Sequence, residues 1–203
     1  MITELCKIFK KYKSDKCPEI LHSYSPSYYE ELKEFRGLFE NVLEIGIGSS
    51  SLMVPICGND YEIGASLKGW RDFFIRAQIY GIDIEKTTLF TDERISTFYT
   101  DQSKSNELEN TINEIKKFSK NDYLEFDIIL DDGSHIVEHM ILSFETLGKY
   151  VKYNGFYIIE DIKRNDLEKF KNLQIPGFSI HKVHEGINDW DDFIIYKKNI
   201  LNF

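Results

Sequence analysis

The sequence predicts an α/β protein whose mostly parallel sheet carries helices on both faces. Three features predict it. Short apolar runs rich in β-branched and aromatic residues alternate with segments of helical period. That order is the one right-handed strand–helix–strand crossovers produce. The last two runs, FSIHKVH (178–184) and DDFIIYKK (191–198), are joined by EGINDW with no room for a helix, so the sheet should end in an antiparallel hairpin.

The elements follow in order. Ser25 can cap a helix with Pro26 at its first position, running SPSYYEELKEF and stopping near Gly37. NVLEI (41–45) is the first strand and ends in Gly46-Ile47-Gly48. Ser66 can cap SLKGWRDFFIRA, and AQIYGID (77–83) and ISTFY (95–99) are the next strands. From Ser105 to Phe118, Leu108, Ile112 and Ile115 repeat at helical spacing. FDIIL (126–130) is a strand. Ile136, Met140, Phe144 and Leu147 then line one face of a helix from Ile136 to Val151, before the strand GFYIIE (155–160).

Composition narrows the function. The chain has 203 residues, 25 of them Lys or Arg and 34 Asp or Glu, so its formal charge is −9. An acidic chain lacks the cationic face that nucleic acid requires. Cys6, Cys17 and Cys57 form no C-x-x-C pair, which argues against a disulfide framework or zinc knuckle and for a reducing compartment. The start, MITELCKIFKKYK, lacks the apolar run of a secretion signal, and nothing approaches the roughly 18 apolar residues that span a bilayer. With no repeat and no Pro/Gly-rich linker, one cytoplasmic domain over residues 1–203 is expected, with 1–37 as a helical lead-in.

VLEIGIGSS (42–50) is the sharpest local feature. Glycine lets a chain turn tightly at the carboxyl end of a strand and approach a nucleotide-like ligand. Glu44 lies inside the apolar strand, where an acid needs a partner. It is either a satisfied structural acid or one that faces a cationic ligand; it would repel a pyrophosphate and favour a sulfonium or ammonium. Asp83 ends the second strand, where an acid can take both ribose hydroxyls of an adenosine. Gly64-Ala65-Ser66 opens a helix whose N–H groups could meet a carboxylate, or is an ordinary cap.

DIILDDGSH (127–135) and YIIED (157–161) form the second feature. If their strands are neighbours, about 4.8 Å apart, Asp131, Asp132, Glu160 and Asp161 crowd one sheet edge. Such crowding is unfavourable without a cation, unless some of the carboxylates cap the following helices, and hard ions such as Mg²⁺ take oxygen ligands. Asp132, Glu160 and Asp161 are the expected ligands, with Asp131 as a substitute. His135 lies on the same edge, and its ordinary pKa suits proton abstraction near neutrality. His139 falls on the following helix, and His181 and His184 fall in the hairpin without an assigned role.

These residues, with KYKSDK, HSYSPSYYEEL, GASLKGW…IYGIDI, ISTFYTDQS, DIILDDGSHIVEHM and GFYIIED, resemble a class I S-adenosylmethionine-dependent methyltransferase over about residues 10 to 165. The subgroup resembled is the metal-dependent sugar O-methyltransferases of the macrocin and mycinamicin type. The resemblance implies a Rossmann-like sheet of seven strands in the order 3-2-1-4-5-7-6. It implies that Glu44, Gly46, Gly48, Ser66 and Asp83 touch the cofactor, with Asp101 and Gln102 on its adenine side and Asp131 nearby. It assigns Asp132, Glu160 and Asp161 to Mg²⁺, and Asp132 with His135 to catalysis. It places Ser14-Asp15-Lys16 and Tyr24, Tyr28 and Tyr29 near the active site, and it admits a homodimer. The sequence departs from the subgroup after IED, where IKRNDLEKF replaces an aromatic- and Gly-rich closing segment.

The expected reaction is Mg²⁺-assisted methyl transfer from S-adenosylmethionine to a hydroxyl of a sugar, a glycosylated small molecule or a polysaccharide precursor, with His135 as general base. An amine or catechol acceptor and a non-catalytic binding protein are the alternatives. A nicotinamide-dependent reductase would place Gly or Ala where Ser51 stands and an apolar residue where Glu44 stands. It would also want its Tyr-x-x-x-Lys pair late in the sheet, whereas Tyr12 and Lys16 precede the first strand.

Overall fold

A computed structural model describes residues 1–199. The expected domain's last four residues, 200–203, lie outside them. Eight strands form one sheet: β1 (Asn41–Ile45), β2 (Gln78–Asp83), β3 (Thr91–Asp92), β4 (Ile95–Tyr99), β5 (Phe126–Asp131), β6 (Val151–Ile162), β7 (Phe178–His184) and β8 (Asp192–Lys198). Their order is β3-β4-β2-β1-β5-β6-β8-β7. Seven strands were expected; the eighth is the two-residue β3, which folds back antiparallel on β4. Without it the order is the expected one. The contacts among β4, β2, β1, β5 and β6 are parallel, and β8 runs antiparallel to both β6 and β7.

The helices are α1 (Glu4–Tyr12), α2 (Tyr24–Leu32), α3 (Ser50–Cys57), α4 (Ala65–Phe73), α5 (Ser105–Ser119), α6 (Val137–Leu147) and α7 (Leu167–Lys171). Two expected caps move. The chain enters α2 through Ser23, which puts Ser25 and Pro26 inside the first turn. Gly64, in the left-handed region at φ 75°, caps α4 and leaves Ser66 in its first turn. A residue without Cβ meets that turn at less cost than serine would. Helices α1, α3 and α7 were not anticipated.

Strand alternation divides the core. Val42, Ile79, Ile128, Ile158 and Phe193 point to one face, under Leu5, Phe9, Tyr28, Trp70 and Phe73 of α1, α2 and α4. Leu43, Tyr80, Ile129, Tyr157 and Ile194 point to the other, under Ile112, Ile115, Met140, Phe144 and Phe170 of α5, α6 and α7. A side chain's parity along its strand therefore decides which helical layer it meets. Among the described residues no helix is long and apolar enough to cross a membrane. Cys6, Cys17 and Cys57 are buried free thiols.

Candidate active site

A cavity of about 830 Å³ opens at the carboxyl ends of the parallel strands, where doubly wound sheets bind ligands. One end is built on the glycine loop. Gly46 has φ 90°, and a Cβ there would fall 2.0 Å from the carbonyl oxygen of Asp132. Gly48, at φ 81°, would meet the Tyr61 hydroxyl at 2.8 Å. Both glycines are thus required by close approach as well as by backbone conformation. Asp83 fixes the loop from the next strand: one carboxylate oxygen accepts from Ile47 N–H and the other from Glu85 N–H, both at 2.8 Å. Ser66, Asp83, Asp101 and Gln102 line the same end.

Gln102 anchors the floor. Its Nε2 donates to both oxygens of Asp131, at 2.7 and 2.8 Å, and its Oε1 accepts from Ser134 N–H at 2.9 Å. Burial pushes Asp131 up to about 7, against those hydrogen bonds. Asp131 shares the parity of Ile129 and meets the α5 and α6 side of the sheet, away from the cavity lining. This face excludes it as the substitute metal ligand, because one residue along a strand reverses the side chain's direction. Asp101 is partly buried at the cavity's edge, where hydrogen bonds from Ser103 and Lys104 lower it to about 2.

The other end is acidic. Asp132, the next residue after Asp131, turns to the cavity. His135 bridges it to Asp161: Nε2 lies 3.3 Å from Asp132 Oδ1 and Nδ1 lies 3.4 Å from Asp161 Oδ2. Consecutive residues of a regular strand diverge, yet Glu160 and Asp161 both reach this region. A bulge between Ile159 and Ile162 in the pairing with β8 makes that possible, together with a left-handed backbone at Asp161, φ 51°. His135 is also left-handed, φ 54°. Such non-glycine conformations cost of order 1–3 kcal/mol each and gather where a site must hold a set geometry.

Behind the cavity a lysine sits among the acids. Lys16 is 1% exposed and its ammonium donates to Glu160 Oε2 at 2.5 Å and to Asp132, and lies 3.5 Å from Glu44 Oε1. Burial works against its charge, but Asp132, Glu160 and Glu44 outweigh it and hold the lysine well above its ordinary range. Burial pushes Glu44 up to about 7, with Lys16 and the nearby Ser66 hydroxyl pulling it back, and among the described residues neither Glu44 oxygen has a partner at hydrogen-bonding geometry. Glu44 therefore faces Lys16 and is not part of the cavity lining. The Tyr28 hydroxyl donates to Glu160 at 2.5 Å, and the Tyr24 hydroxyl donates to Asp161. Tyr29 packs elsewhere, against Phe73.

Crowding did call for a cation, and the chain supplies one in Lys16 and another in His135. Burial would lower His135, but Asp132, Asp161 and Asp131 outweigh it and raise it to about 9, which favours the charged ring while no other cation sits among those acids. A divalent ion fits this donor set. Asp132, His135 and Asp161 offer ligand atoms within 4.8 Å of one another. Asp161 is pushed up to about 6 by burial and by Asp132, the signature of a like-charge pair short of positive charge.

Sequence reasoning missed His22. It lines the cavity, 3% exposed, with Nε2 3.8 Å from Asp161 Oδ1 and its ring stacked on Tyr24 at 4.6 Å. Its signal was its place beside the tyrosines that close over Glu160 and Asp161. Trp190, edge-on to His22 at 5.3 Å, also borders the cavity. His139 lies on α6, bonded to Ser134 Oγ at 3.0 Å, and His184 packs on Phe193.

No family model matches the chain. It is 39% identical over 142 residues to demethylmacrocin O-methyltransferase of Streptomyces fradiae, covering 70% of this chain and 32% of that protein. It is 37% identical over 142 residues to mycinamicin VI 2''-O-methyltransferase of Micromonospora griseorubida, with the same coverage, 70% and 32%. The chain is a relative of the macrocin- and mycinamicin-type sugar O-methyltransferases. The structure agrees. It superposes on MycE, the mycinamycin-pathway methyltransferase solved with Mg, SAH and mycinamycin VI, at a TM-score of 0.71 and 26% identity, covering 97% of this chain and 54% of that one. The chain thus spans about a third of the length of the curated relatives it matches, and about half of MycE.

Proposed function

We propose that this chain carries the donor-binding and catalytic module of an S-adenosylmethionine-dependent O-methyltransferase. Its acceptor is a hydroxyl of a sugar, free or within a glycosylated small molecule or polysaccharide precursor. One observation carries the reading: a single cavity joins the glycine loop and Asp83 to the Asp132–His135–Asp161 cluster. Bound S-adenosylmethionine would supply a methyl group on a sulfonium, and bound Mg²⁺ would supply Lewis-acid chemistry at the acceptor.

The chain's own residues have separable tasks. Gly46 and Gly48 let the loop backbone approach the donor, and Asp83 accepts its ribose hydroxyls. Asp101 and Gln102 border the adenine, and Ser66 with the first turn of α4 meets the carboxylate. Asp132 and Asp161 hold the ion from the cavity side, with Glu160 behind them. Asp132 orients the His135 ring through Nε2. With an ion held by those carboxylates, their pull on the ring's proton would weaken, so His135 would release it to solvent and, as a neutral imidazole, could take the proton of the acceptor hydroxyl. General-base assistance of this kind is worth about 10²–10⁴-fold in rate. The acidic charge and the free cysteines support a cytoplasmic location, and segment 1–37, which carries Lys16 and Tyr24, belongs to the same unit as the site.

The test is transfer of a labelled methyl group to a panel of glycosides, in EDTA and then with MgCl₂ added back. O-methylated product that appears only with Mg²⁺ is expected. Transfer indifferent to chelation, or confined to amines, contradicts the proposal.

A further inference from the structure

We propose that Lys16 is the site's resident cation, a positioning residue that draws Glu44, Asp132 and Glu160 together and sets how strongly the cavity's acids attract a divalent ion. The first half stands on the geometry alone; the second rests on the metal reading above.

The three acids come from three neighbouring elements: β1, the end of β5 and β6. Glu44, Asp132 and Glu160 share one parity and so meet on the face covered by α1 and α2. Nothing in the sheet itself would hold three carboxylates there. Lys16 reaches them from the loop after α1, and that loop is fixed. The Ser25 N–H donates to Lys16 O at 2.9 Å, and the His22 N–H to Asp15 O at 2.7 Å. An ammonium has three donors and no acceptor, and here the carboxylates of Asp132 and Glu160 take two. With both the lysine and Glu160 buried, removing the ammonium leaves uncompensated charge, which is strongly destabilising.

The consequence for an ion follows from the division of Asp132. One of its oxygens faces Lys16 and the other faces His135. A fixed positive charge on the far side of a ligand weakens that ligand's pull on a second cation. The chain thereby exchanges ion affinity for an acid cluster that is assembled before any ion arrives.

The experiment compares the wild type, Lys16→Met, Lys16→Arg and the double variant Lys16→Met/Glu160→Gln at pH 8. In EDTA, Lys16→Met should melt about 10 °C below the wild type. Lys16→Arg should lose less, and the double variant should regain at least about half of the loss because it buries no unpaired carboxylate at position 160. A packing role would not produce that rescue. A Lys16→Met variant as stable as the wild type, or a double variant no better than the single, overturns the proposal. Should Lys16→Met not fold, the double variant still decides. Calorimetry with MgCl₂ alone tests the second half. Binding at least about fivefold tighter in Lys16→Met than in the wild type supports it, and equal affinity overturns it. No binding to either protein overturns the metal reading of the site, and Lys16's first role is then judged by the melting series.

Discussion

His135 and Asp161 face each other across the cavity with Nδ1 3.4 Å from Oδ2, and both hold a left-handed backbone. Their strands are neighbours, yet regular strands would not aim these two side chains at one point. The bulge in β6 and the turn after β5 do so, at a cost in backbone strain that the packed sheet sustains. The site is thus a feature of two distorted strand ends held by a regular sheet.

Replacing His135 should separate chemistry from binding. His135→Asn tolerates the left-handed backbone and cannot act as the base. Turnover should fall at least about 100-fold while S-adenosylmethionine affinity stays within about threefold. Single-turnover assays beside equilibrium binding measure both. Near-normal turnover would remove His135 from the mechanism.

Gln102 should matter more than its neutral side chain suggests. Gln102→Ala removes the Nε2 that donates to both oxygens of the buried Asp131, leaving it only the Gly133 N–H, and frees the Ser134 N–H that leads to His135. A loss of about 2 kcal/mol in denaturant unfolding is expected, with weaker donor binding. Asp131→Asn, which keeps an oxygen for Gln102 and removes a buried charge, should lose clearly less. Equal losses would contradict this account of the network.

Asp72 should make part of the stability depend on pH. It ties α1 to α4 by accepting from Tyr12 at 2.6 Å and Lys11 at 3.0 Å, and it also accepts from its neighbour on α4, Arg71, at 2.9 Å. Burial pushes its carboxyl up, but those bonds outweigh it and leave it below the ordinary value. A folded pKa below the unfolded one means that the unfolded chain binds more protons, so the contribution is present above about pH 4 and fades as pH falls further. The carboxyl is partly buried and its partner Lys11 reaches solvent, so Asp72→Asn should cost only about 1 kcal/mol at pH 7. The gap should close towards pH 3. Melting curves of both proteins across that range test it, and a deficit that does not change with pH counts against it.

Much of this was legible in the residues. Alternating apolar runs placed the parallel strands, and the terminal runs 178–184 and 191–198 placed the hairpin, because burial on two faces leaves a strong pattern. Asp132, His135 and Asp161 were legible as a cluster once their strands were taken as neighbours. Less legible was how parity sorts adjacent acids: Asp131 and Asp132 look alike in sequence but serve opposite faces. The resemblance placed Ser14-Asp15-Lys16 near the site, but the pairing of Lys16 with the acids was harder still to read. Lys16 lies 116 residues from Asp132 and 144 from Glu160, and a buried lysine leaves no periodic trace. Helix α3 was missed because its SSLMVPIC sequence carries Pro55 and buries little beyond Cys57. The two-residue β3 is too short for any pattern.

The central claim is that a positively charged methyl donor binds over the glycine loop beside these acids. Calorimetric titration of the purified chain with S-adenosylmethionine, S-adenosylhomocysteine and NADPH tests it most directly, with Gly46→Ala as the control whose added methyl would collide with the Asp132 carbonyl. The account predicts one-site binding of both methionine-derived ligands, no heat with NADPH, and loss of binding in Gly46→Ala. Binding of NADPH instead, or undiminished donor affinity in Gly46→Ala, would contradict it.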